Sequence, residues 1–228
     1  MNTPALLEGL RFIDSFFPSG GYAFSSGLEA AVQGGAVKNS DQLARYIEDL
    51  LRGGISRREA LATKIANRAG ASGKIYAAID IDRRLDATKL SRESRLASRQ
   101  MGRQVIRVAA DQIRAKPVLN EYRDEVESER APGHLAVTFG LTMGASGWKP
   151  EETAAAFLYQ TAVGFVSAAM RLSPIGQHEG QQVLGEWLPL IERISREPDS
   201  GTLMSSWSPV QDIYAMRHGS LEWRLFRS

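Results

Sequence analysis

The chain has 228 residues, of which 43% are hydrophobic and 24% charged, with a formal net charge of +2. That balance excludes disorder over most of the length, and the length is enough for one large hydrophobic core. There is no cysteine, which excludes disulfides, thiolate catalysis, zinc ribbons and iron–sulfur clusters.

Thr3-Pro4 reads as an N-cap followed by proline at the first helical position. Leu6, Leu7, Leu10, Ile13 and Phe17 then mark one helical face that ends at Pro18. A glycine- and serine-rich loop, SGGYAFSSGLE, leads into a short helix over Leu28 to Gln33, closed by Gly34-Gly35. Asn39 with Gln42 forms a capping box for a helix displaying Leu43, Tyr46, Ile47, Leu50 and Leu51. Gly53-Gly54 is expected to break that helix before the next, over 55–69. Helices follow over 72–85 and 89–116, the second expected to be the longest and closed by Pro117. Residues 118–132 are polar and read as loop with a short helix. The segments 135–143 and 151–172 are the most apolar helices. After them come a helix over 176–196, a loop over 200–208, a short helix over 209–218 and a tail over 221–228.

No run alternates as a strand would, no Asn-Gly hairpin occurs, and neither a repeat nor a long linker divides the chain. The expected architecture is an all-α, single-domain helical bundle over residues 1–228. The apolar stretch from Ala154 to Leu172 is interrupted by Gln160, Thr161 and Arg171. A membrane span needs ~20 mostly apolar residues, so a buried helix is expected instead. The start, MNTPALLEGL, has neither a basic n-region nor a long apolar h-region, and the expected location is the cytoplasm.

GASGK at Gly70 to Lys74 has two residues between its glycines where a phosphate loop needs four, and Ile75 where it needs Ser or Thr. It reads as a helix-to-helix loop. His134, His178 and His218 are too scattered for a metal spacing such as HExxH, although one from each of two subunits could share a metal at a dimer axis. No GxSxG elbow occurs. The expectation is no catalytic residue, no cofactor and no metal site.

The sharpest pattern lies between Lys89 and Lys116. Arg92, Arg95, Arg99, Arg103 and Arg107 recur at spacings of three and four, which places them within roughly a third of a helix circumference. Leu90, Met101, Val105 and Val108 fall on the other side. The stripe reads as a solvated face or as a contact for an acidic partner. No interleaved aromatics accompany it, which argues against nucleic acid. The tail carries Arg224, Leu225, Phe226, Arg227 and Ser228, two apolar residues between two cations. That suits a partner's groove, or a segment folded back on its own domain.

Four segments, DSFFPSGGYAFSSGLEAAV, PGHLAVTFG, RLSPIGQHEGQQVL and DIYAMRHGSLEWRLFRS, together resemble the urease accessory protein UreF family, in the family's order and across nearly the whole chain. Phe24 stands where many members have His or another aromatic, and Gly219 where many have Glu. The resemblance implies an all-α homodimer that is not an enzyme. It implies a scaffold that binds a UreD/UreH-type accessory protein and a UreG-type GTPase, and docks on apo-urease for nickel insertion. Arg217, His218 and the tail from Arg224 to Ser228 are the partner-binding residues expected on this reading, with the Arg92–Arg107 stripe as a second, acidic-partner face. Two competing functions stay open on the residues alone: a helical enzyme clamping a small acidic substrate with arginines, and a nucleic-acid-binding module using the same stripe.

Overall fold

A computed structural model describes residues 2–14, 16–113, 116–198 and 203–227. Among them there is no strand, and the chain is all-α. In order the helices are α1 (Thr3–Ile13), α2 (Leu28–Gln33), α3 (Ser40–Leu50), α4 (Leu61–Ser72), α5 (Ile75–Thr88), α6 (Arg92–Gln112), α7 (Pro117–Glu127), α8 (Leu135–Ala145), α9 (Pro150–Leu172), α10 (Gln177–Arg196) and α11 (Pro209–Arg217). The start signals act as expected in α3, where the Asn39 side chain accepts from the Gln42 N–H at 2.9 Å and Gln42 reaches back to the Lys38 N–H at 2.8 Å. At α1 the cap is Asn2, which accepts from Ala5 N–H, and Thr3 and Pro4 are already helical.

The centre of the bundle is α8. Residues Ala136 to Ala145 are all buried, as an all-round apolar helix must be. It packs against α4, α6 and α9. The α4–α8 pair lies backbone to backbone. A Cβ on Gly140 would sit 2.3 Å from the Thr63 carbonyl oxygen, one on Gly144 1.9 Å from that of Asn67, and one on Gly70 2.1 Å from that of Leu141. Glycine is required at these three positions because no other residue leaves the space. The Asn67 amide then donates to the Trp148 carbonyl at 3.0 Å and to Thr153 Oγ1 at 2.8 Å, fixing the turn into α9.

Four expectations are corrected. Gly53-Gly54 does not break the chain: Leu51–Ala60 continues α3 into α4 as a π-helix. The wider turn frees the Gly53 carbonyl, which accepts from the Trp207 N–H at 2.8 Å, and the Trp207 carbonyl presses where a Cβ on Gly53 would stand, 2.2 Å away. The longest helix is α9, with 23 residues, against 21 for α6. Residues 117–127 form a full helix, α7, because Val118, Leu119, Tyr122 and Val126 line one buried face despite the polar composition. GASGK is the end of α4, with Gly73 as its left-handed cap at φ 71°. Of the loop expected over 200–208, residues 200–202 lie outside the described residues.

By length and composition α9 is long and apolar enough to cross a membrane, but half of its most apolar stretch is buried in the protein.

Candidate functional site

The C-terminal segment is organised by one carboxylate. Glu29 sits in the first turn of α2 and is buried. Gly27 places that turn: at φ 88° a Cβ there would come 2.7 Å from the Ala215 backbone, so α2 lies directly on α11. Glu29 Oε1 accepts from the Leu225 N–H at 2.6 Å, and Oε2 from the Phe226 N–H at 3.1 Å. Oε2 also meets His218 Nε2 at 2.9 Å, while His218 Nδ1 meets Glu93 Oε2, in the first turn of α6, at 2.8 Å. Both ring nitrogens of His218 are thus engaged by carboxylates. Each acid also lies at the positive end of a helix.

The rest of the tail closes around this knot. The Arg171 guanidinium stands 4.3 Å from the centre of the Phe226 ring and donates to the Tyr22 carbonyl at 2.8 Å. The Arg227 N–H donates to the Ala23 carbonyl at 2.8 Å, and the Gln33 side chain to the Trp223 carbonyl at 3.1 Å. Arg224 reaches Glu93 Oε1 at 3.4 Å. Three of the four segments quoted for the UreF resemblance therefore meet here.

Phe226 is 4% exposed and His218 is fully buried, so neither is an open anchor. Phe226 follows the second reading of the tail, a segment folded back on its own domain, because Glu29 and Arg171 build it a pocket. Leu225 is 55% exposed, and Arg217, Arg224 and Arg227 are exposed. Ser228 lies outside the described residues. The sequence reading missed Trp223, 79% exposed, and the bare Ile213 and Met216 on α11. Gly219 is a close fit, since a Cβ there would lie 3.0 Å from Glu93 Oε1.

The arginine stripe on α6 is not uniform. Arg92, Arg103 and Arg107 are exposed and Arg95 half-buried. Arg99 instead turns to α5 and grips Asp86 Oδ1 with Nε at 2.9 Å and Nη2 at 2.5 Å. Burial works against the Asp86 charge, but hydrogen bonds from Arg99 and His134 outweigh it and hold the carboxyl below its ordinary pKa.

The PGHLAVTFG segment forms a second buried polar centre. Asp82 accepts from Tyr122 Oη at 2.7 Å and from the Gly133 and His134 N–H groups at 2.6 and 3.0 Å. His134 lies between Ser98 and Asp86. Burial pushes Asp82 up from 3.8 to about 6, against those three hydrogen bonds. Burial, helped by the Lys89 charge, brings His134 down from 6.5 to about 4. Asp82, raised on folding, contributes stability that is present below its unfolded value and lost as pH rises through about 6. His134, lowered, contributes stability present above 6.5 and lost as pH falls through about 4. Each is worth up to ~3 kcal/mol, and between pH 4 and 6 they offset each other. Asp82→Asn is therefore expected to lose stability more steeply than the parent on acidification from pH 6.5 to 4, read from urea midpoints. Parallel slopes would disprove the offset.

Among the described residues no three His, Asp or Glu side chains are placed to hold a metal ion. His178 is exposed on α10.

A family model described as UreF matches residues 37–188. The chain belongs to the UreF family. The urease accessory protein UreF of Bacillus sp. (strain TB-90) is 30% identical over 227 residues, covering 98% of this chain and 99% of the relative. That of Xanthobacter autotrophicus (strain ATCC BAA-1158 / Py2) is 33% identical, covering 98% and 91%. That of Haemophilus influenzae (strain ATCC 51907 / DSM 11121 / KW20 / Rd) is 29% identical, covering 96% and 94%. These UreF relatives extend over the Glu29–His218 knot at both of its ends, beyond the span of the family model.

Proposed function

We propose that this UreF-family chain is a cytoplasmic, homodimeric scaffold of urease maturation. It links a UreG-type GTPase and a UreD/UreH-type accessory protein to apo-urease, so that nickel, as cargo, reaches the urease active site. It carries no catalytic centre and no cofactor. The observation that supports this reading most directly is the near end-to-end similarity to proteins named urease accessory protein UreF.

The competing enzyme reading needs an enclosed pocket holding a titratable group with a shifted pKa. Asp82 and His134 have shifted values but are sealed among protein partners. They line neither the groove beside Trp207 nor the one beside Arg103; Tyr46 does line the groove beside Trp207, and burial raises its pKa and holds it as a neutral phenol.

The partner-facing surface on this proposal is the outside of the tail. Arg217, Arg224 and Arg227 are exposed in the same segment as the exposed Trp223 and Leu225, and aromatic and arginine side chains are the residues that most often anchor interfaces. His218 and Phe226 hold that surface from beneath. The double variant Trp223→Ala, Leu225→Asp keeps every backbone contact to Glu29. It is expected to retain its helical circular dichroism and its dimer, and to lose at least about tenfold in affinity for a co-expressed UreD/UreH-type partner, the loss of two hot-spot contacts. Undiminished co-purification would move the partner site elsewhere.

A further inference from the structure

A second concave site lies on another part of the surface, where α5, α6 and the turn after α7 meet. It encloses about 340 Å³ and is lined by Arg83, Arg99, Arg103, Arg130 and Glu129, with Ala131 and Pro132 at its floor. Only Arg99 and Arg103 belong to the α6 stripe. Arg83 and Arg130 come from segments distant in sequence, so the cluster exists only in the fold.

Three of the four guanidinium groups are held from one side. Arg83 Nη2 donates to the Arg130 carbonyl at 2.8 Å. Arg99 is fixed by Asp86, which His134 supports from the core. Arg130 grips Glu125 through Nε and Nη2 at 3.0 and 2.9 Å. Each guanidinium has five N–H donors, and these contacts leave several unused. Arg103 has no ion pair or side-chain hydrogen bond among the described residues, and its stem passes close to Gly133, where an added Cβ would lie 3.5 Å from Arg103 Cγ. Asp86 and Glu125 balance two of the four charges. Glu129, exposed at φ 59°, is the one acid lining the cavity itself.

We propose that this cavity is an oxyanion-binding site, taking one phosphate- or carboxylate-type group between Arg83, Arg103 and Arg130. Arg83 and Arg130, fixed in advance, lose little freedom on binding, and the planar forks of all three match oxyanions in paired hydrogen bonds. The volume is at the small end of ligand sites, which fits a free anion or the end of one acidic side chain. A bound oxyanion also relieves the mutual repulsion of the unbalanced cations. The site does not depend on the tail surface or on the urease reading.

The test uses the full chain. Inorganic phosphate is titrated at constant ionic strength, balanced with chloride, while the arginine Nε–H resonances and the thermal midpoint are followed. Saturable shifts of a few arginine signals and a saturating rise in midpoint are expected. Arg103→Gln, an exposed position, should fold normally by circular dichroism and weaken binding at least about tenfold, the loss of a charged hydrogen bond. Glu129→Gln should strengthen it about two- to threefold by removing the one opposing charge at the rim. A tetraglutamate peptide in a parallel titration separates the sources. Saturation by the peptide at lower concentration than phosphate assigns the site to an acidic segment of a protein, and saturation by phosphate alone assigns it to a free anion. A linear response to both that is unchanged in Arg103→Gln is ordinary screening and overturns the proposal.

Discussion

Glu29→Ala is expected to unlatch the C-terminal segment and to cost about 2–5 kcal/mol, because it removes the shared acceptor of a buried hydrogen-bond network. The alanine leaves the His218 ring facing Glu93 alone, and the Leu225 and Phe226 N–H groups without acceptors. Each stranded donor adds a desolvation cost. Phe226 then keeps its place against Arg171 only through its neighbour, the Arg227 N–H on the Ala23 carbonyl. Urea denaturation gives the stability loss, and limited proteolysis after Arg224 or Arg227 reports tail release. The two readouts separate the roles. A large stability loss with an uncut tail would mean that Glu29 matters to the α2–α11 contact only. Early cleavage with little loss would mean that the tail contributes nothing to the domain.

Gly144→Ala carries the other large effect. The added methyl lands 1.9 Å from the Asn67 carbonyl oxygen, with the Asn67 Cα at 2.9 Å behind it. Both are backbone atoms of α4, so no side chain can swing away. The helices must separate along a seam that Gly140 and Gly70 close at the same time. Overpacking typically costs about 1–3 kcal/mol, and a backbone clash at the centre of the bundle belongs at or above the top of that range. Gly164→Ala is the control, because a Cβ at Gly164 meets nothing within 4 Å. Helical propensity should make that change neutral or stabilising, by up to ~1 kcal/mol. Equal thermal midpoints for the two variants would show that the α4–α8 approach is looser than described.

The helices were legible because apolar period and capping chemistry are local. Asn39 announced α3, and the flat apolar run at 135–143 announced a buried helix. What failed was also physical. Two adjacent glycines look like a break, and whether they break depends on what touches them. Here Trp207, about 150 positions away in sequence, supplies the donor that stabilises a π-helix. Composition made 118–132 look like loop, although Val118, Leu119, Tyr122 and Val126 keep helical spacing.

At the candidate site, the tail stood out through its mix of Arg, Leu and Phe, but its anchor did not. Glu29 lies inside a quoted motif, SGLE, and nothing in its neighbours says that it is buried. The α6 stripe shows the same limit. Five arginines on one face look equivalent along the helix axis, and only the position of Asp86 on α5 separates Arg99 from the others.

The Glu29–His218 knot joins residues 189 positions apart. Closing so distant a pair carries the loop entropy of nearly the whole domain. During synthesis α2 leaves the ribosome long before His218 exists, and its Glu29 waits without partners while α3 to α10 are made. The surface around Trp223 and Leu225 rests on this knot, which is complete only once His218 and the tail have been made. A fragment ending before His218 would present Glu29 as a bare carboxylate and offer no such surface. On the proposed reading, an accessory partner that grips this face inspects a finished bundle at the moment of docking, so the scaffold carries its own proof of folding into the assembly.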